Sequence, residues 1–146
     1  MRSNRFRYTS HTADMAFTAY GRTFSAALEN SALALLNAML DLGGIKKASG
    51  AVRTRAISDR GRSREDIVWF VLQDILSIVD SEKMNAYKFS VTGLQEKGGH
   101  ICVRGLLSYK RIEGDFAMLS VKAVTPHGLR VEKRDGRYAI SVVVDV

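Results

Sequence analysis

The residues able to do chemistry fall in a few short stretches: "SHTAD" near the start, "VKAVTPHGL" late in the chain, and the terminal "VVVDV". In the first, His11 and Asp14 lie between two alternating segments, where loop side chains can converge on a ligand. Imidazole and carboxylate together suit metal binding or acid–base work. The same spacing suits a turn in which Asp14 or Ser10 accepts from nearby backbone N–H groups, and spacing alone favours that turn. In the last stretch, Tyr138, Ile140, Val142 and Val144 share one strand face, and Ala139, Ser141, Val143 and Asp145 share the other. A carboxylate following three small or apolar residues costs free energy to bury unless paired or metal-bound. The alternative is an Asp145 at the strand end that dips into water. The α-carboxylate of Val146 is one residue away. Two carboxylates with a third from a neighbouring loop make the hard-oxygen site that Ca²⁺ or Mg²⁺ prefers.

"VKAVTPHGL" places Lys122, Thr125 and His127 around an expected bend at Pro126–Gly128. Lys122 could carry an anion such as phosphate and His127 could titrate near neutrality; a solvated lysine and a turn histidine are the common alternatives. The chain has no Gly-rich phosphate loop, G-x-S-x-G elbow or H-E-x-x-H motif, so no self-sufficient catalytic set is present.

The elements that must position these groups follow from periodicity. "RFRYT" and Met15–Tyr20 alternate and read as strands, the second closed by Gly21. "TFSAALENSALALLNAMLDLGG" switches to helical period, with Thr23 as N-cap, Gly43-Gly44 as the stop, and Glu29 and Asn30 facing water. "AVRTRAIS" is a strand ending in "DRGR", and Ser63 opens a capping-box pattern with Asp66. The helix after it is apolar almost all round, which predicts a sandwiched core helix. "YKFSVTGL", "HICVRGLLSY", "FAMLSVKAVT", "GLRVEK" and "RYAISVVVDV" read as strands, the last two joined across "RDG". The predicted order is ββαβα followed by about five strands. That is an α+β domain over residues 1–146, with mixed or antiparallel sheets packed on two main helices.

Composition bounds the rest. The chain has 146 residues, 46% hydrophobic and 25% charged, as a globular domain does. No linker, low-complexity tract, secretory h-region or bilayer-length apolar run stands out, and a cytoplasmic protein is expected. Cys102 is alone, which excludes an intrachain disulfide and a thiolate zinc cage. Lys and Arg number 22 against 15 Asp and Glu, a net charge of +7 that favours a polyanionic partner, RNA first. The basic runs (Arg2, Arg5, Arg7; Lys46, Lys47; Arg53, Arg55; Arg60, Arg62, Arg64) have few aromatics among them for base stacking, and a plain solvated surface competes with an RNA-facing one.

"HTAD", "GRTFSAALENSALALLNAM", "EDIVWFVLQDILSIVDSEKM", "VKAVTPHGL" and the terminal "VVVDV" stand in the same order as in the archease family, which the chain resembles from about Tyr8 to Val146. Val71–Leu76 and Pro126 depart from it: the family commonly has Trp-Leu-Asn-Glu-Leu-Leu at the first and Tyr at the second. The resemblance implies a protein that is not itself an enzyme. It implies an activator of the GTP-dependent tRNA-splicing ligase RtcB, promoting guanylylation of the ligase and multiple turnover and broadening its NTP use. It implies a calcium site at Asp14, Asp145 and Val146, open to another hard divalent ion such as Mg²⁺ or Mn²⁺; His11, Lys122 and His127, singled out by their own chemistry and spacing, are candidate functional neighbours. GTP then enters only in the ligase complex, and tRNA indirectly. Two rivals remain: a basic RNA-binding module, and a small metal-dependent phosphoester hydrolase using Asp14, Asp145 and His11 or His127.

Overall fold

The computed structural model describes residues 5–10 and 14–146. Its elements are β1 (Phe6–Ser10), β2 (Asp14–Gly21), α1 (Phe24–Met39), α2 (Leu42–Lys47), β3 (Ala51–Gly61), α3 (Arg64–Glu82), β4 (Asn85–Lys97), β5 (His100–Arg111), β6 (Ala123–Arg134) and β7 (Arg137–Asp145). The strands form two antiparallel sheets, β1-β2-β7-β6 and β3-β5-β4. The α+β expectation and the two long helices hold.

Both long helices lie between the sheets. Helix α1 packs on β2 and β7 of one sheet and on β4 of the other; α3 packs on β6 and on β3 and β5. That sandwich explains the nearly all-round apolar α3, whose Ile67, Val71, Leu72 and Ile75 are fully enclosed. Each such side chain contributes on the order of 1.5–3 kcal/mol by leaving water. The helix starts are the predicted ones. Thr23 Oγ1 accepts from the Ala26 N–H at 3.0 Å and Ser63 Oγ from the Asp66 N–H at 3.0 Å. Asp66 Oδ2 reaches back to the Arg62 N–H at 3.0 Å, one residue before the usual capping-box donor.

Four expectations are corrected. Helix α1 ends at Met39, and Gly43-Gly44 lie inside the short helix α2, which Asp41 caps through the Gly44 N–H at 3.0 Å. A Cβ on Gly44 would stand 2.6 Å from Asp41 Oδ2, so the glycine is needed for the cap rather than for a stop. Four strands, not five, follow α3, because "VKAVT" and "GLRVEK" join as β6 across a bulge. Pro126 is tolerated there because β6 is an edge strand. The stretch before β6 is irregular and pairs back on the α1–α2 connection through Asp41 N–H to Phe116 O and Met118 N–H to Met39 O, 2.8 Å each.

The fourth correction is that Glu29 and Asn30 do not simply face water. Glu29 Oε2 accepts from the Val91 N–H on the edge strand β4 at 2.8 Å, and Asn30 Nδ2 donates to Tyr20 O at 2.7 Å. Helix α3 does the same for the edge of β6 with one i, i+4, i+8 stripe. Glu65 takes the Val131 N–H at 3.2 Å, Trp69 Nε1 donates to Val124 O at 2.7 Å, and Gln73 Oε1 takes the Val124 N–H at 3.1 Å. These bonds satisfy strand edges that would otherwise be open to pairing with another chain.

Candidate metal-binding corner

Strand β2 begins at Asp14 and β7 ends at Asp145, and the antiparallel register sets the two directly opposite one another. The next pair, Met15 and Val144, points into the helix layer, with Val144 fully buried. Alternation therefore puts Asp14 and Asp145 on the outer face, and directly opposed residues share a face with Cβ atoms about 5 Å apart. Both carboxylates are half-buried. Like charges so placed repel unless a cation, a proton or water intervenes.

Two further contacts hold Asp145. The Lys122 N–H donates to its backbone carbonyl at 2.7 Å, and its ladder partner on β6 is the small Ala123, which leaves the corner uncrowded. Val146, the next residue, packs its side chain against the core. The donors collected are hard oxygens with no thiolate, the set that suits Ca²⁺, Mg²⁺ or Mn²⁺. Among the described residues, no group of three or more His, Cys, Asp and Glu side chains comes together, so any ion here would draw on backbone oxygens or water as well.

The predicted neighbours fare differently. His11 lies outside the described residues. The Lys122 side chain is exposed and forms no ion pair with either aspartate among the described residues; its backbone N–H is what touches the corner. His127 is exposed on the β6 bulge, where the ladder skips from Thr125 to Arg130. Gly128, at φ +82°, lets that bulge fold against Val143, the outward residue before Asp145. Thr125 Oγ1 lies 3.2 Å from the carbonyls of both Val143 and His127 and ties the bulge to β7.

A second carboxylate pair escaped the sequence reading. The alternating strand was read to end in "DRGR", but β3 continues to Gly61, and Ile57, Asp59 and Gly61 point inward together. Asp59 Oδ2 is enclosed and meets no protein donor. Burial first, then its neighbour Asp74 on α3, push its pKa up to about 7. Two ionised carboxylates are both acceptors, so a bond between them requires a shared proton. The folded state thus holds this proton more tightly than the unfolded chain, where Asp titrates near 3.9. The resulting stability is full below about pH 4 and is lost as pH rises through about 7. Asp59→Asn, which keeps an N–H donor toward Asp74 at every pH, should raise the denaturant midpoint at pH 8 and flatten its fall between pH 4 and 7. An unchanged pH profile in that variant would show that Asp59 does not hold the proton.

Comparison with known proteins bears on the family and the fold. The model of the Archease protein family matches residues 6–146. The chain is 33% identical over 142 residues to the protein archease of Archaeoglobus fulgidus, covering 97% of this chain and 99% of that one. It is 31% identical over 144 residues to the protein archease of Methanosarcina mazei, covering 97% and 96%. Among solved structures, the solution structure of Methanobacterium thermoautotrophicum protein 1598 superposes with a TM-score of 0.84 at 28% identity, covering 97% of this chain and 99% of that one. The crystal structure of an archease and possible chaperone from Thermotoga maritima shares the fold, with a TM-score of 0.56 at 22% identity and coverage of 100% and 98%.

Proposed function

The chain belongs to the archease family, and from that premise we propose that it is an accessory protein of an RtcB-type RNA ligase, acting through a divalent cation held at the Asp14/Asp145 corner. The observation that supports this most is the direct opposition of Asp14 and Asp145 at matched strand ends, because two like charges on one outward face are relieved by a shared cation. Asp14 and Asp145 are the anionic ligands, and the backbone oxygen at Val146 is a third donor. When bound, the ion supplies positive charge to phosphate oxygens.

The chain's own residues do the positioning. The Lys122 N–H fixes the carbonyl of Asp145, the anchored Val146 keeps the strand end in place, and β2 and β7 deliver both carboxylates from a rigid ladder. The outer face beside them carries small side chains (Ala16, Thr18, Ser141), with the β6 bulge folded over Val143 at its rim, so a partner's nucleotide site would approach the corner from the β2 side. GTP and RNA ends then belong to the ligase, and this protein raises the rate of its guanylylation and of its later turnovers. Incubating the ligase with labelled GTP should give faster labelling when this protein is present, and equal rates with and without it would defeat the proposal.

The metal part has its own test. A divalent ion that binds only the folded chain stabilises it, by about 2.7 kcal/mol at a free concentration about 100-fold above Kd. Millimolar Ca²⁺, Mg²⁺ or Mn²⁺ should raise the melting temperature, chelator should reverse the shift, and Asp145→Asn should remove it. No shift with any of the three ions would mean that the isolated protein has no competent site.

A further inference from the structure

The two sheets turn their outer faces away from one another, because the helices lie between them. On the β3-β5-β4 sheet the inward set is clear: Ile57, Val103, Leu107, Ala86 and Phe89 are buried. Their register partners and the pleat then fix the outward set. The charged residues in that outward set are Arg60 on β3, Lys88 and Lys97 on β4, and Arg104 and Lys110 on β5. No Asp or Glu occupies an outward position of these strands. The acids of these strands, Asp59 and Glu96, take inward positions, and Glu96 pairs with Arg64 at 3.5 Å, as Glu82 does with Arg55 at 2.6 Å.

We infer that this face binds the phosphate backbone of helical RNA, on the side of the molecule away from the aspartate corner. The inference stands on the charge and chemistry of the sheet and does not rest on the ligase proposal. Arg60, Lys88 and Arg104 are exposed, and none of them is in an ion pair among the described residues. Lys110 is committed locally, its Nζ donating to Lys46 O at 2.8 Å and Ala48 O at 2.9 Å, which brings the basic end of α2 alongside the face. Between the cations lie Thr54, Ser58, Ser90, Ser108 and Gln95, side chains able to donate to phosphate or exchange hydrogen bonds with a 2′-hydroxyl.

The same residues exclude other occupants. Protein hot spots draw on Trp and Tyr as well as Arg, and this face offers no outward aromatic, its one strongly exposed large apolar residue being Val52. Base stacking on single strands needs outward aromatics, and Tyr87 and Tyr109 are not in the outward set. What is left is a three-stranded surface with no outward acid, its strands about 36–43 Å long (eleven to thirteen residues each), suited to a backbone and indifferent to sequence. The other sheet's outer face differs in kind. Its arginines Arg7, Arg130, Arg134 and Arg137 share it with Asp14, Asp145 and Glu132, the last paired with Arg134.

The test uses the isolated full chain and a labelled stem-loop RNA, followed by fluorescence anisotropy across a salt series. Wild type should bind with affinity that falls as salt rises, and Arg60→Gln/Lys88→Gln/Arg104→Gln should weaken it at least tenfold. That triple variant should also reduce the log–log salt slope by about 2–3, as expected for three lost phosphate contacts at about 0.7–0.9 each. The matched control, Arg7→Gln/Arg130→Gln/Arg137→Gln, removes the same charge from the other sheet and should retain most of the affinity. Circular dichroism confirms that both variants fold. Three results would each overturn the inference: no salt-dependent binding, equal losses in the two variants, or tighter binding of an unstructured single strand or of poly-glutamate than of the stem-loop.

Discussion

Asp14→Ala is expected to return ligase turnover to the level of the ligase alone while leaving the fold intact. Asp14 is the first residue of β2, half-buried on the outer face, with its carboxylate set against that of Asp145. Its removal deletes one of the two acidic side chains that the described residues place at the corner, and no neighbouring side chain among the described residues replaces it. The structural cost is small, because no cap, core contact or ion pair of the described residues depends on that carboxylate. A surface change of this kind is usually worth within about 0.5 kcal/mol, and relief of the opposed charge offsets part of that. Asp14→Asn, isosteric but uncharged, should fail in the same way. Retained stimulation in either variant would dissolve the link between corner and ligase; a collapsed melting transition would instead make Asp14 a structural residue.

Leu72→Ala should do the reverse and strike the fold as a whole. Leu72 has no exposed surface and lies on α3, the helix that touches β6 on one side and β3 and β5 on the other. An alanine there leaves a cavity that two sheets and a neighbouring helix can collapse around only in part, at a cost of about 2–5 kcal/mol. For a domain with a typical total of 5–15 kcal/mol, that is a large fraction. Denaturant unfolding monitored by far-ultraviolet circular dichroism measures it directly. Leu72→Met, which nearly conserves volume, should cost under about 1.5 kcal/mol. A loss below about 1 kcal/mol for the alanine would mean that α3 is not the middle layer of a sandwich. Loss of ligase stimulation in Leu72→Ala should track the unfolded fraction, whereas that in Asp14→Ala should not.

The contrast between these two residues parallels what the amino-acid sequence discloses and what it conceals. Local rules are visible in it. Thr23 and Ser63 cap the helices they were read to cap, and the alternation of β7 puts Asp145 on the outward face as its spacing says. Asp135-Gly136, both at positive φ, form the tight turn that "RDG" announces. The partners of side chains distant in sequence are not visible. Glu29, Glu65 and Gln73 look like solvent-facing helix residues until β4 and β6 arrive with unpaired N–H groups to satisfy. Asp59 looks like a turn residue because "DRG" is a turn signal, and only the pairing of β3 with β5 out to Gly61 turns it inward beside Asp74. Pro126 and Gly128 break the strand pattern of β6, and the break is absorbed as a bulge. Of the corner itself, the two aspartates were legible separately. Their opposition across one rung of the ladder is a fact of tertiary register.

The central claim is that this protein makes the ligase a multiple-turnover enzyme, and the direct measurement is a count of joined RNA ends per ligase molecule. A purified RtcB ligase is mixed with excess RNA ends and GTP, with and without this protein and with its Asp14→Ala variant. The account predicts about one joining event per ligase without it, many with it, and about one again with the variant. Equal counts in all three mixtures would contradict the account.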